Sequence, residues 1–180
     1  MKRTLAFASV LVFSFVAAAR AQAPAGPPKP GPEHKKLEYF AGKWTMEGEL
    51  KASPFGPGGK VTATDNCEWF AGGFHIICRS EGKGPAGDMK SLALLGYSGE
   101  EKAYTYYGID NMGMGSGAKG TLSGAVWSWT GEDKMGGKLI KSRFIITQTS
   151  PNAYTVKWAI SQDGKTWTDV MEGKETRAAK

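Results

Sequence analysis

The sequence predicts an all-β domain: an antiparallel up-and-down β-barrel of about ten strands with one short N-terminal helix. Three observations carry this. From Lys43 onward, side chains alternate apolar and polar with a period of two, as half-buried strands do. Turn-forming pairs separate the alternating runs. Nearly every connection is short, and short connections join antiparallel neighbours, whereas parallel strands need long crossovers. A meander of ten strands has two open edges unless it closes, and closure removes them. A two-sheet sandwich is the alternative arrangement of the same strands.

The chain begins with two segments outside the barrel. Met1-Lys2-Arg3 is basic, Leu5 to Ala19 is an almost uncharged apolar run, and Ala19-Arg20-Ala21 offers small residues to an exporting peptidase. This is the layout of a secretory signal peptide over residues 1–21. A membrane anchor is the other reading, but the run is short of the roughly 20 apolar residues a bilayer needs. No later segment could span a membrane after signal removal, and the expected location is periplasmic or secreted. Residues 22–32 hold five of the nine prolines, which excludes a helix interior or a sheet ladder and predicts an extended tether. The barrel domain is expected over residues 33–180.

The formal charge of +6 falls to +3 without Lys2, Arg3 and Arg20, leaving 20 basic and 17 acidic residues. These are interspersed, so a nucleic-acid partner is not expected. Nothing in the pattern encodes an oligomeric state.

Within the domain, Glu33 to Gly42 places Leu37, Phe40 and Ala41 on one helical face, with Gly42 to stop it. Trp44, Met46, Gly48 and Leu50 then alternate with Thr45, Glu47 and Glu49. Tyr154, Val156, Trp158 and Ile160 repeat the pattern late in the chain. Trp127 pairs with Trp129 on one face, and Tyr104 with Tyr106. Further strands are expected at 60–70, 74–81, 90–97, 113–122, 139–149 and 167–177. The breaks fall at Gly72-Gly73, Ser98-Gly99, Ser123-Gly124, Gly136-Gly137, Pro151-Asn152 and Asp163-Gly164. Around a turn at Gly72-Gly73, Cys67 and Cys78 become direct cross-strand partners, which predicts a disulfide. A two-residue turn would put them at a hydrogen-bonded site and a four-residue loop at the closer site; two packed free thiols are the alternative.

Gly42-Lys43-Trp44, after the helix and at the start of the first strand, resembles the Gly-x-Trp of the calycins, the lipocalin-like barrels. That resemblance implies that Trp44 packs at the closed end under a basic residue of the last strand, here Arg177. A closer resemblance runs from Lys36 to Arg177. It is carried by Leu37…Gly42-Lys-Trp44, Trp69-Phe-Ala-Gly-Gly-Phe74, Leu95-Gly-Tyr97, Tyr104…Asp110 and Trp167…Glu175-Thr-Arg177. These are similar to a calycin-like family of exported bacterial proteins catalogued as a domain of unknown function. The chain departs from that pattern at Ser98, where the family has Asp, and at Gly108, where Trp is frequent. The resemblance implies a fold and export, and no reaction.

The candidate site is the barrel interior. Tyr104, Tyr106, Trp127, Trp129 and Trp158 are expected to wall it, with Asp110 and Arg143 to orient a polar headgroup. Aromatic walls with few polar groups suit a small hydrophobic molecule; a filled structural core is the competing expectation. No GxSxG, HExxH or free Cys–His arrangement appears, so no catalytic residues and no metal site are assigned. An isomerase or hydrolase on the same barrel, using Asp110 and Tyr106, and an envelope interaction module with a filled core are the alternatives. No cofactor is expected, haem at His75 being the one possibility left open beside a plain strand histidine. His34 is expected to be solvated. Ser161-Gln-Asp-Gly-Lys-Thr-Trp167 resembles a glycosidase Asp-box one residue short, and a hairpin turn explains it. Met112-Gly-Met-Gly-Ser-Gly117 lacks the phosphate-loop pattern and reads as a rim segment.

Overall fold

The computed structural model describes residues 28–53 and 56–178. The expected signal segment, residues 1–21, and residues 22–27 of the expected tether lie outside them. The ten strands are β1 (Gly42–Leu50), β2 (Gly59–Trp69), β3 (His75–Gly84), β4 (Gly87–Ser98), β5 (Ala103–Asp110), β6 (Gly115–Ser123), β7 (Val126–Met135), β8 (Lys138–Ser150), β9 (Ala153–Ser161) and β10 (Thr168–Arg177). Each pairs antiparallel with its sequence neighbours, and β1 pairs with β10 from Trp44↔Arg177 to Leu50↔Met171, closing the barrel. Closure satisfies both edge ladders, which rules out the sandwich.

The N-terminal helix is shorter and tighter than its periodicity predicts. One α-helical turn, α1 (Pro32–Lys36), runs into a 3₁₀ turn over Leu37–Phe40. Pro32 opens the helix, where its missing N–H is no loss. A 3₁₀ turn has three residues per turn, so Leu37 and Phe40 lie on one line. Both are buried, and they drive into one end of the barrel. His34 is half-buried rather than solvated: its Nδ1 accepts from Gly31 N–H at 3.1 Å, and its ring meets Phe74 and Tyr97 edge-on.

The plug is tied to the wall by polar bonds. Trp44 Nε1 donates to Phe40 O at 2.9 Å, and Arg177 donates to Ala41 O and Tyr39 O at 2.5 and 2.9 Å. The guanidinium lies 4.2 Å from the centre of the Trp44 ring, a cation–π contact in a buried setting. Tyr39 Oη donates to Ser150 O and Ala153 O, and Tyr104 Oη to Glu33.

Cys67 and Cys78 are joined by a disulfide. Phe70 N–H donates to His75 O at 2.8 Å, so a four-residue loop, 71–74, closes the hairpin. Gly72 and Gly73 take φ of +93° and +73° there, a region that favours glycine. Counting back from that hydrogen-bonded pair puts the cysteines at a non-hydrogen-bonded site, where antiparallel strands come closest. Their Cα atoms are 4.0 Å apart.

Candidate functional site

Alternation along the strands sends one residue in two into the lumen. At the plugged end these residues are large and the space is full. Trp44, Trp127, Trp129, Tyr104, Tyr154, Ile76 and Leu95 join Leu37 and Phe40 in one buried cluster. Trp127 stacks on Trp129 at 6.1 Å and meets Tyr104 and Phe40 edge-on at 4.7 and 5.1 Å. A Cβ on Gly120 would enter the Trp129 ring, so that ring lies flat on a bare stretch of wall.

Further along the same strands the inward residues are small or polar. Met46, Ala63, Asp65, Ser80, Ala93, Tyr106, Ala118, Ser142, Phe144 and Trp158 all point inward, yet each is only half-buried. An inward alanine shows surface only where its neighbours leave room for water. The lumen is therefore open toward the end carrying the β1–β2, β3–β4, β5–β6, β7–β8 and β9–β10 loops. Its wall includes the Phe144–Trp158 stack, with ring centres 5.7 Å apart and planes at 16°, and Tyr106, whose phenol lies over Gly108. At the rim, a cleft of about 450 Å³ is lined by Ala52, Ser53, Ile140, Ile160, Ser161 and Thr168, among others.

The sequence-predicted residues divide between these regions. Tyr106, Trp158 and Asp110 point into the open half. Tyr104, Trp127 and Trp129 belong to the filled half, and the Tyr104 hydroxyl is engaged by Glu33 at 2.6 Å. Arg143 is not in the lumen. It follows the inward Ser142 and precedes the inward Phe144, and a strand residue faces away from its two neighbours. Its guanidinium packs on the outer wall, 4.3 Å from the Trp167 ring centre. Asp110 is occupied as well: its Oδ1 accepts from Met112 N–H and Met114 N–H, both at 2.9 Å, and so shapes the β5–β6 turn. His75 also faces outward, beside Gly96 and Thr105. Asp163 caps its own loop through Lys165 N–H and Thr166 N–H at 2.8 Å, which holds its carboxyl at about 2.

The sequence reading missed an acidic floor between the two halves. Glu175, on β10, is buried and accepts from Tyr154 Oη at 2.5 Å. Burial, and then the charge of Asp65, push the Glu175 carboxyl up to about 8. Asp65, on β2, flanks Trp44 from the other side of β1, and its carboxyl shares a hydrogen bond with that of Glu175, the protonated Glu175 donating. Nearer the mouth, Asp133 receives Ser142 Oγ at 3.3 Å and is raised by burial. Tyr106 is raised by burial first, then by Asp110, Asp133 and Asp65. Carboxyls from β2, β5 and β7 thus act on one phenol. Their signal was present in the sequence: Asp65 alternates with Val61, Ala63 and Cys67, and Glu175 with Met171 and Gly173. An acid on the apolar face of a strand points into the barrel. Among the described residues, no three His, Cys, Asp or Glu side chains converge to hold a metal ion.

Two solved structures match this chain, the first of them with a likeness of fold. Rv2717c from M. tuberculosis matches with a TM-score of 0.58 and 11% identity, covering 83% of this chain and 99% of its own. EF1p2_mFAP2b, a structure bound to DFHBI, matches with a TM-score of 0.43 and 11% identity, covering 81% of this chain and 98% of its own. No curated protein matches. The family model described as a protein of unknown function, DUF1579, matches residues 29–177. With all ten strands of its barrel inside that match, the chain belongs to the DUF1579 family.

Proposed function

We propose that this protein is an exported binding protein that holds one small molecule, with a mainly apolar body, in the open half of its barrel. The observation that carries the reading is the set of inward side chains that stay half-buried above a filled floor. A barrel of this size either packs its interior solid or keeps room for one ligand. Here it does the first at one end and the second at the other. The walls are aromatic on β5, β8 and β9 and small on β2, β4 and β6, which suits a flat ligand lying against Phe144, Trp158 and Tyr106. Export rests on the N-terminal signal pattern, and the disulfide is at home in an oxidising compartment.

Native mass spectrometry of the protein purified from its own host tests this. The expected spectrum contains a small-molecule adduct that disappears in Ala93→Phe, whose new ring fills the lumen while the circular dichroism stays that of the barrel. An unliganded wild type, or an adduct that survives in Ala93→Phe, would contradict the reading.

One observation favours a second reading, acid–base catalysis at the same floor. A carboxyl held near 8 beside a second carboxyl and a tyrosine can give or take a proton at neutral pH. Catalysis predicts a pH–rate profile that changes in Glu175→Gln. A bound molecule recovered chemically unchanged would leave binding as the function.

A further inference from the structure

We propose that the outer face of β3, β4 and β5 is the surface through which two copies of this chain associate, an apolar interface on the wall that is independent of the lumen.

The argument begins with a break in the alternation. On β1 the outward positions are Lys43, Thr45, Glu47 and Glu49, and on β10 they include Glu172, Lys174 and Thr176, as a wetted wall requires. On three adjacent strands they turn apolar. Ile77 lies beside Leu94, and Leu94 beside Tyr107; one row on, Leu92 lies beside Ile109. The inward neighbours Ile76, Ala93, Leu95 and Tyr106 are apolar or aromatic too, so these strands carry such side chains on both faces. A strand reads this way when both of its faces are covered. Tyr107 and Ile109 are nevertheless 58% and 60% exposed. Met112 and Met114, in the turn that follows Ile109, continue the surface at 58% and 41%.

The face is shaped for a broad partner. Gly117 and Gly115, on β6, stand beside Tyr107 and Ile109. A Cβ on Gly117 would meet the Tyr107 ring at 3.6 Å, and one on Gly115 would meet Ile109 at 3.7 Å. The two side chains therefore lean over bare backbone and spread the apolar surface toward a fourth strand. Each of these strands is hydrogen-bonded on both sides, so a partner cannot add a strand and has to pack face to face.

Area and charge identify that partner as a second copy. The exposed side chains present on the order of 500 Å² of apolar surface, at the upper end of what a monomer leaves bare. A standard interface hides roughly 800 Å² on each partner, about 65% of it apolar in a homodimer, so this face supplies the apolar centre that a dimer needs. Its border carries Arg79, Lys90 and Lys119, each paired with an acid of its own copy: Glu68 at 2.7 Å, Glu81 at 3.5 Å and Glu101 at 2.7 Å. Such a border has no net sign. It selects neither an acidic nor a basic macromolecule, and it does not repel its own image, which an interface between like faces requires.

Sedimentation velocity across about 1–100 μM protein tests this, with a dimer expected that dissociates on dilution. Tyr107→Lys together with Ile109→Lys is expected to weaken the dimer at least about a hundredfold, with the circular dichroism unchanged because both sites are exposed. Leu139→Lys, 53% exposed on β8 and outside the face, is expected to dimerise as the wild type does. Hydroxyl-radical footprinting tests the wild type without substitution, and decides alone if the double variant misfolds: Tyr107 and Met114 are expected to oxidise more slowly at the high concentration than at the low. A wild type that is monomeric throughout, a dimer that survives in the double variant, or oxidation of Tyr107 that ignores concentration would overturn the proposal. A monomer that floats with phosphatidylcholine vesicles would give the face to a lipid surface and overturn it as well.

Discussion

The two halves of the barrel share strands, hydrogen-bond ladders and disulfide-braced wall, yet one is solid and the other open. At the plugged end, Trp44, Trp127, Trp129 and Tyr104 meet the 3₁₀ turn that brings Leu37 and Phe40. Toward the mouth, the same alternation delivers Ala63, Ser80, Ala93, Ala118 and Ser142, and no helix among the described residues enters. The ladder makes the cylinder, and side-chain volume alone decides where the cylinder holds a core and where it stays open. One half supplies stability and the other leaves the room that the proposed binding requires.

The comparison breaks most visibly in stability. Trp127→Ala, in the filled half, is expected to cost about 3–5 kcal/mol, whereas Phe144→Ala, in the open half, costs about 1–2 kcal/mol. Urea denaturation of the two variants checks the difference. Equal losses would mean that the lumen is packed throughout. Replacing Cys67 and Cys78 by serine removes a cross-link between residues 11 apart, and is expected to cost about 2–3 kcal/mol by loop-closure entropy. Guanidinium midpoints with and without reductant check it.

The boundary between the halves is sharpened by pH. Burial lifts Glu175 from 4.5 in the unfolded chain to about 8 in the folded one. Between those values the folded chain keeps a proton that the unfolded chain has released. That contribution to stability is full below about pH 4.5 and is lost as the pH rises to about 8. Glu175→Gln is expected to flatten this slope and to melt higher than wild type at pH 9, as thermal melts across pH would show. The smallest expected effect lies at the rim. Asp163→Ala removes the acceptor of its loop and loosens residues 161–167 with little change in global stability. Hydrogen exchange confined to that loop checks it.

Most of the fold was legible because alternation and turn chemistry are local. The ten strands, the Gly72-Gly73 hairpin and the Cys67–Cys78 bond follow from spacing. The helix changed character at Leu37 because the barrel end it enters favours the tighter turn, which residues 33–42 alone do not reveal. The site was only partly legible. Placing Arg143 in the lumen overlooked that neighbours on a strand face opposite ways. Trp127 and Trp158 read alike in the sequence, yet one lies under the plug and the other in open space. Depth depends on strand tilt and on where the helix docks, and both are tertiary. Asp65 and Glu175 were readable, each an acid in an apolar alternation, but a carboxyl's partner two strands away is not written beside it.

The most direct measurement labels the lumen from outside. The native cysteines are bonded and no free thiol is present among the described residues, so an introduced cysteine reports alone. Ala63→Cys and Ala118→Cys, in the open half and away from the disulfide, are expected to react with a small methanethiosulfonate in the folded protein. Leu95→Cys, in the filled half, is expected to react only on unfolding. Protection of all three would contradict an open lumen, and equal reactivity of all three would contradict the plug.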